Sequence, residues 1–168
     1  MAIITEYNRV QRANDFFPKN LYIGFGRTTA WADESSPPAP SVNATEIEEL
    51  QFISKASINY VKPNGSQIIF KDTKWDLYDP PTTNDLYTND IKYLYIRTTL
   101  LYDDFDFITF RQIGILENPV DSTGTICTND KYTSSQLNSQ GMLHYLDNRL
   151  KTVRQDGQQE TVAIILEF

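Results

Sequence analysis

Lys92-Tyr93-Leu94-Tyr95-Ile96-Arg97-Thr98-Thr99-Leu100-Leu101-Tyr102 and Asp106-Phe107-Ile108-Thr109-Phe110-Arg111-Gln112-Ile113-Gly114-Ile115-Leu116 decide the fold class. Both runs are dense in β-branched and aromatic residues, which fit a pleated surface better than the crowded flank of a helix. Only the acidic stretch around Asp103 and Asp104 separates them, so they are predicted to pair as neighbours. Asn118-Pro119 stops the second run, since proline has no N–H to offer a ladder.

Toward the C-terminus, residues 121 to 141 are polar and short of large apolar groups and read as loop. Three further β segments follow at about 142 to 147, 149 to 154 and 160 to 168, the last two joined by the turn signal Asp156-Gly157. Toward the N-terminus, residues 72 to 90 read as a long loop carrying Trp75, Leu77 and Tyr78, and loops of this length are commonly interaction segments. Before it, Ser57 to Val61 and Gln67 to Phe70 flank Pro63-Asn64-Gly65, a hairpin signal because Asn-Gly tolerates positive φ. Thr45 and Glu48 have capping-box spacing, with Ile47, Leu50 and Ile53 on one side, which predicts a short helix over 46 to 54.

Residues 33 to 45 hold Pro37, Pro38 and Pro40 and are expected to run extended, partly as polyproline II. Leu21 to Phe25 form a short buried strand ending in Gly24-Phe25-Gly26. Ile3, Tyr7, Val10 and Phe17 mark one face of an amphipathic helix over 2 to 14. The sum is an α+β chain, mostly antiparallel β-sheet and β-sandwich-like, with an N-terminal helix and one further short helix, forming a single domain over residues 1 to 168. At this length roughly 70% of the unfolded chain's surface can be buried, so an ordinary apolar core suffices.

Composition narrows the function classes. A net charge of -7 and the lack of a Lys/Arg cluster argue against nucleic acid as a partner. Cys127 is the only cysteine, so no intrachain disulfide can form. There is no apolar run of about 18 residues and no signal-peptide pattern at the start, which predicts no membrane insertion and synthesis in a reducing cytoplasm. Ten Tyr, nine Phe and two Trp suit both large cores and protein interfaces.

No constellation of catalytic residues emerges. Gly24-Phe25-Gly26 lacks a third glycine and leads into a proline-rich loop, which offers no helix N-terminus to an anion. Asp103, Asp104 and Asp106 read as a solvated turn, because no closing glutamate completes a calcium loop. His144 is the only histidine and reads as structural, and Cys127 lies in a polar loop with no close basic neighbour. The expectation is a chain without enzymatic activity, cofactor or metal.

Leu21-Tyr22-Ile23-Gly24-Phe25-Gly26-Arg27, Trp31 and Pro37-Pro38-Ala39-Pro40 together resemble the N-terminal signature of the gene-product-eight family of baseplate wedge subunits from contractile-tailed bacteriophages. Phe110-Arg111-Gln112-Ile113 with Asn118-Pro119 resembles that family's F-R-Q-I…N-P segment, and Gly141-Met142-Leu143-His144-Tyr145-Leu146-Asp147-Asn148-Arg149 resembles its G-x-M-x-Y-x-x-N-R segment. Residues 1 to 60 and 105 to 168 carry the likeness. The middle is shorter than the insert of the family's longer members.

The resemblance implies a structural virion protein in the tail baseplate, a homodimer that contacts other wedge proteins and performs no catalysis. On that basis Trp31, Pro37, Pro38 and Pro40, with Trp75 and Tyr78, are expected to form partner contacts. Gly24, Gly26, Arg27, Asn118 and Pro119 are expected to shape the backbone. The competing class is a tail-tip β module that binds a carbohydrate or receptor through its aromatics.

Overall fold

A computed structural model describes residues 3–105, 108–155 and 157–168. The chain divides into two compact units, the first of residues 1–19, 57–97 and 163–168, the second of residues 20–56 and 98–162. The chain passes between them at four places, so neither unit is one continuous stretch of sequence.

In the first unit, helix α1 (Glu6–Phe16) is capped by Thr5, whose hydroxyl accepts from the Asn8 N–H at 3.3 Å. Its buried face is Val10, Ala13 and Phe16, while Ile3 and Tyr7 of the predicted face are exposed. Ala2, also inside the predicted helix, lies outside the described residues. Tyr7 instead stacks on Tyr87 at 4.5 Å. Strands β3 (Ser57–Phe70) and β4 (Thr73–Tyr78), with β5 (Tyr93–Leu100) and β11 (Glu160–Glu167), of which residues 98–100 and 160–162 are counted with the second unit, join in the order β11-β5-β3-β4. Helix α2 (Thr83–Thr88) opens on a capping box of Thr82 and Asp85.

The second unit is built on a five-stranded sheet in the order β10-β6-β1-β2-β8, from Met142–Arg154, Ile108–Glu117, Leu21–Gly26, Phe52–Lys55 and Lys131–Thr133. β7 (Val120–Asp121) and β9 (Leu137–Ser139) form a small ribbon. β1 is central and all six of its residues are buried. Tyr22, Ile47, Ile53, Leu116, Cys127 and Tyr132 share one core cluster, with Leu50 and Leu143 packed against it.

The fold class holds, an α+β chain of mostly antiparallel sheet with one helix at the N-terminus. Several placements differ. β5 and β6 do not pair, since they belong to different sheets; residues 106 and 107 at the start of the predicted second run lie outside the described residues. The second helix is α2 and not 46–54. Glu49 sits at a positive φ of 45°, which a helix cannot accommodate, and Phe52–Lys55 pair with β1 instead. The loop predicted over 72 to 90 contains β4 and α2.

Pro63-Asn64-Gly65 is not a hairpin turn. Asn64 does take a positive φ, but residues 64–67 bulge out of one long strand, and the chain reverses at Lys71 and Asp72, both at positive φ as a two-residue hairpin turn demands. The segments at 142–147 and 149–154 are one strand with two register shifts. Within the polar stretch 121–141, Tyr132 is buried and its strand pairs with β2. Of the Asp156-Gly157 turn signal, Asp156 lies outside the described residues, and Gly157 has a φ of 75°.

Candidate protein interface

Residues 27–49 form an irregular strap on the second unit, and sheet residues far away in sequence hold it down. Its seat is a hollow made by absent side chains. Gly24 on β1 lies opposite Gly114 on β6, with Gly26 two residues along. A Cβ on Gly26 would stand 2.5 Å from the Glu48 carbonyl oxygen, and one on Gly24 2.6 Å from Ile47 Cδ1. Ile47 fills the hollow and is 1% exposed. Its backbone is gripped by the Gln140 amide, whose Oε1 accepts from the Ile47 N–H at 2.9 Å and whose Nε2 donates to the Ile47 carbonyl at 3.0 Å.

At its start the strap is fastened by charge. Arg27, at φ 53°, donates its N–H to the Glu48 carbonyl, pairs its guanidinium with the Glu48 carboxylate and lies 3.9 Å above the Trp31 ring. Trp31 is turned inward, 7% exposed, and its indole N–H donates to the Arg149 carbonyl at 2.8 Å. Its backbone N–H donates to Glu34, whose carboxylate also accepts from Arg111 Nε at 2.8 Å, while Arg111 Nη1 donates to the Thr28 carbonyl. Glu49 accepts the N–H groups of Thr28 and Thr29 at 2.8 and 2.9 Å and both hydroxyls. Those donors stabilise the anion, and hold the Glu49 carboxyl down at about 2.

A relay of amides fastens the rest. The Glu48 N–H donates to Gln112 Oε1 at 2.8 Å, Gln112 Nε2 donates to Asn148 Oδ1 at 2.9 Å, and Asn148 Nδ2 donates to the Pro38 carbonyl at 2.9 Å. Three separated segments therefore meet at one place: Gly24 to Arg27 with Trp31 and the prolines, Arg111-Gln112, and Asn148-Arg149. Irregular backbone over a sheet must satisfy its polar groups somewhere, and here conserving that satisfaction needs side chains from two distant strands. The exposed crest is Asp33, Ser35, Ser36, Pro38, Ala39 and Ser41 to Asn43, with Val42 98% exposed. Pro37 and Pro40 are half-buried.

The other predicted positions lie elsewhere. Asn118, at φ 51°, donates its N–H to the Asn20 carbonyl, and the buried Pro119 accepts from the Cys127 N–H. Trp75 and Tyr78 belong to the first unit. Trp75 is buried edge-on to Tyr93 at 5.1 Å with Val61 and Tyr95, and the Tyr78 hydroxyl accepts from Asn89 Nδ2 at 2.8 Å. Asp104 pairs with Lys131 inside the second unit; Asp106 lies outside the described residues. His144 Nε2 is 2.6 Å from Glu117 Oε2. Cys127 is fully buried, and burial pushes its thiol up. Sequence reasoning from residue chemistry missed Arg111, Gln112, Gln140 and Asn148 as the clasps; the signal available was the set of resemblance segments that contain three of them.

The family described as "Baseplate wedge 3 tail fiber network component" matches residues 1–168, the whole chain. The chain belongs to that family. It is a baseplate component of a phage virion and a structural protein of the phage tail. Its sequence is also similar to "Virion protein 3" of Enterococcus phage phiEF24C, 24% identical over 159 residues, covering 89% of this chain and 85% of that protein. Among the described residues no helix is long and apolar enough to cross a membrane.

Proposed function

We propose that this member of the family is a non-enzymatic wedge subunit of a contractile tail, acting as a homodimer that joins other baseplate proteins through surface contacts. The family match over the full length carries the reading. It is supported by a strap that is fastened from below by buried polar groups while its crest is left to solvent, the arrangement expected of a preorganised docking element. Residues 1–168 act as one domain on this reading, since the chain crosses four times between its two units and neither is one continuous segment. Trp31 serves by positioning the strap, and Pro37, Pro38 and Pro40 by stiffening its crest.

The test is incorporation. Val42→Asp with Ala39→Asp alters only the exposed crest, so the purified variant should melt within about 2 °C of the parent yet be depleted from assembled baseplates. Full incorporation would sink the strap's role. The carbohydrate-binding alternative would use a cleft lined by Phe17, Tyr60, Tyr78 and Pro80 among the described residues. Phe17 and Tyr60 stack on each other there at 4.2 Å, and the Tyr78 hydroxyl is held by Asn89. Saturable binding on a glycan array would favour that alternative.

A further inference from the structure

Charge divides unevenly between the units. The first carries eight Lys and Arg against eight Asp and Glu, and the second seven against fourteen, so the whole net charge of -7 sits on the second. Within the second unit the strap is a concentrated source, with Arg27 against Asp33, Glu34, Glu46, Glu48 and Glu49. Arg27 and Arg111 neutralise Glu48 and Glu34. Asp33, Glu46 and Glu49 are exposed and meet no cation among the described residues; Asp33 and Glu49 are held anionic by hydrogen bonds from Ser35 and from Thr28 and Thr29. Beside Glu46 opens a cleft of about 530 Å³ whose polar wall of Thr45, Ser134, Asn138 and Gln140 is interrupted by Leu50 and Leu137.

The first unit holds a complement. Its β3–β4 hairpin, residues 62–76, is an arm bearing Lys62, Lys71 and Lys74, all exposed and without an ion pair among the described residues. The register opposes Ile69 to Lys74 and Lys62 to Asp76, which puts Lys62, Ile69 and Lys74 on one face. Ile69 is 72% exposed there, a large apolar side chain on a face that also carries Lys62, Lys74 and Asp76. Of the arm's two acids, Asp76 is engaged by the Ser66 and Gln67 N–H groups at 2.7 and 3.2 Å, which leaves Asp72 at the turn.

We propose that this arm docks on the strap of a second copy of the chain, Ile69 entering the cleft beside Glu46 while Lys71 and Lys74 meet the uncompensated carboxylates. The inference deepens the homodimer reading and rests on it, since two copies related by a two-fold axis make the contact twice. Charge complementarity between a basic arm and an acidic strap favours a second copy over a solvated end. Lysines on an edge strand also deter strand pairing. That role alone would leave the solution mass unchanged on charge reversal, because glutamate deters pairing equally.

Two full-length variants decide the matter by sedimentation or light scattering. One is Lys62→Glu/Lys71→Glu/Lys74→Glu, the other Asp33→Lys/Glu46→Lys. Each alone should weaken dimerisation by ~100-fold or more, and a one-to-one mixture should restore it, since reversed arm then meets reversed strap. Carbodiimide treatment of a mixture of light and 15N-labelled parent should join Lys71 or Lys74 of one copy to Glu46 of the other, an outcome independent of any variant's folding. A parent that stays monomeric overturns the homodimer reading itself. A parent dimer that survives either reversal, or that the mixture fails to restore, overturns the arm-to-strap contact and leaves the homodimer reading standing.

Discussion

The strap and the arm meet the same physical demand in opposite ways. Both are stretches of chain that leave regular sheet pairing, and in both the freed N–H and C=O groups need partners. The arm's bulge is satisfied locally, by Asp76 and Gln67 within ten residues. The strap closes part of its backbone on its own Glu34, Glu48 and Glu49, but it is tied down by Gln112, Asn148 and Gln140, which lie 64 to 110 residues from the backbone groups they bind, and by the Arg149 carbonyl, 118 residues from the Trp31 indole it holds. A locally closed element can form with its own hairpin, whereas a remotely clasped one exists only once the five-stranded sheet is assembled. Damage to the strap should therefore propagate into the second unit, and damage to the arm should stay where it is.

Trp31→Ala is the hardest test of that contrast. It removes a buried ring, its cation-π contact with Arg27 and a hydrogen bond, and should cost about 3–5 kcal/mol in denaturant unfolding, with faster amide exchange across residues 27–49. Gly26→Ala comes next, at about 1–3 kcal/mol, because the added methyl meets the Glu48 backbone, which cannot swing aside as a side chain could. Asp76→Ala should cost only about 1 kcal/mol, with faster exchange confined to residues 62–76. If Asp76→Ala instead loosened the strap, or matched Trp31→Ala in cost, the distinction between local and remote fastening would fall.

The smallest effect concerns acid. The folded Glu49 carboxyl is depressed to about 2, so its contribution is complete above its ordinary value and is lost as the pH falls through about 2. Glu49→Gln should therefore lower the melting temperature slightly at pH 7 and converge with the parent near pH 2. A constant gap down to that pH would show that the hydroxyl clamp does not depend on charge.

Much of the fold could be read along the chain. β1, β5, β6 and the N-terminal helix appeared where aromatic and β-branched density or helical spacing placed them. The misplacements share a cause. Ile47, Leu50 and Ile53 have helical spacing, and Ile47 and Ile53 are indeed buried in one cluster with Leu50 packed on it, yet they reach it along an irregular path followed by a strand. Periodicity reports which residues are buried and not the backbone that carries them there. Asn64-Gly65 was read for its tolerance of positive φ, which Asn64 does use. Whether that tolerance closes a turn or a bulge depended on Asp76 across the hairpin.

The candidate site was legible in a different sense. The family resemblance marked Trp31 and the prolines as partner contacts, whereas the Trp31 ring is turned inward beneath the crest. The polar clasps Arg111, Gln112 and Asn148 have no local signature, because a glutamine on a strand looks the same whether it faces solvent or closes a relay. By itself the sequence determined the fold class, the acidic balance, the single cysteine and the family likeness, all of which depend on residue identity and near-neighbour spacing. Only the tertiary structure decided that β5 and β6 part into different sheets, and that three distant segments converge on one strap, because hydrogen bonds spanning a hundred residues depend on the arrangement of whole sheets and leave no trace in local pattern.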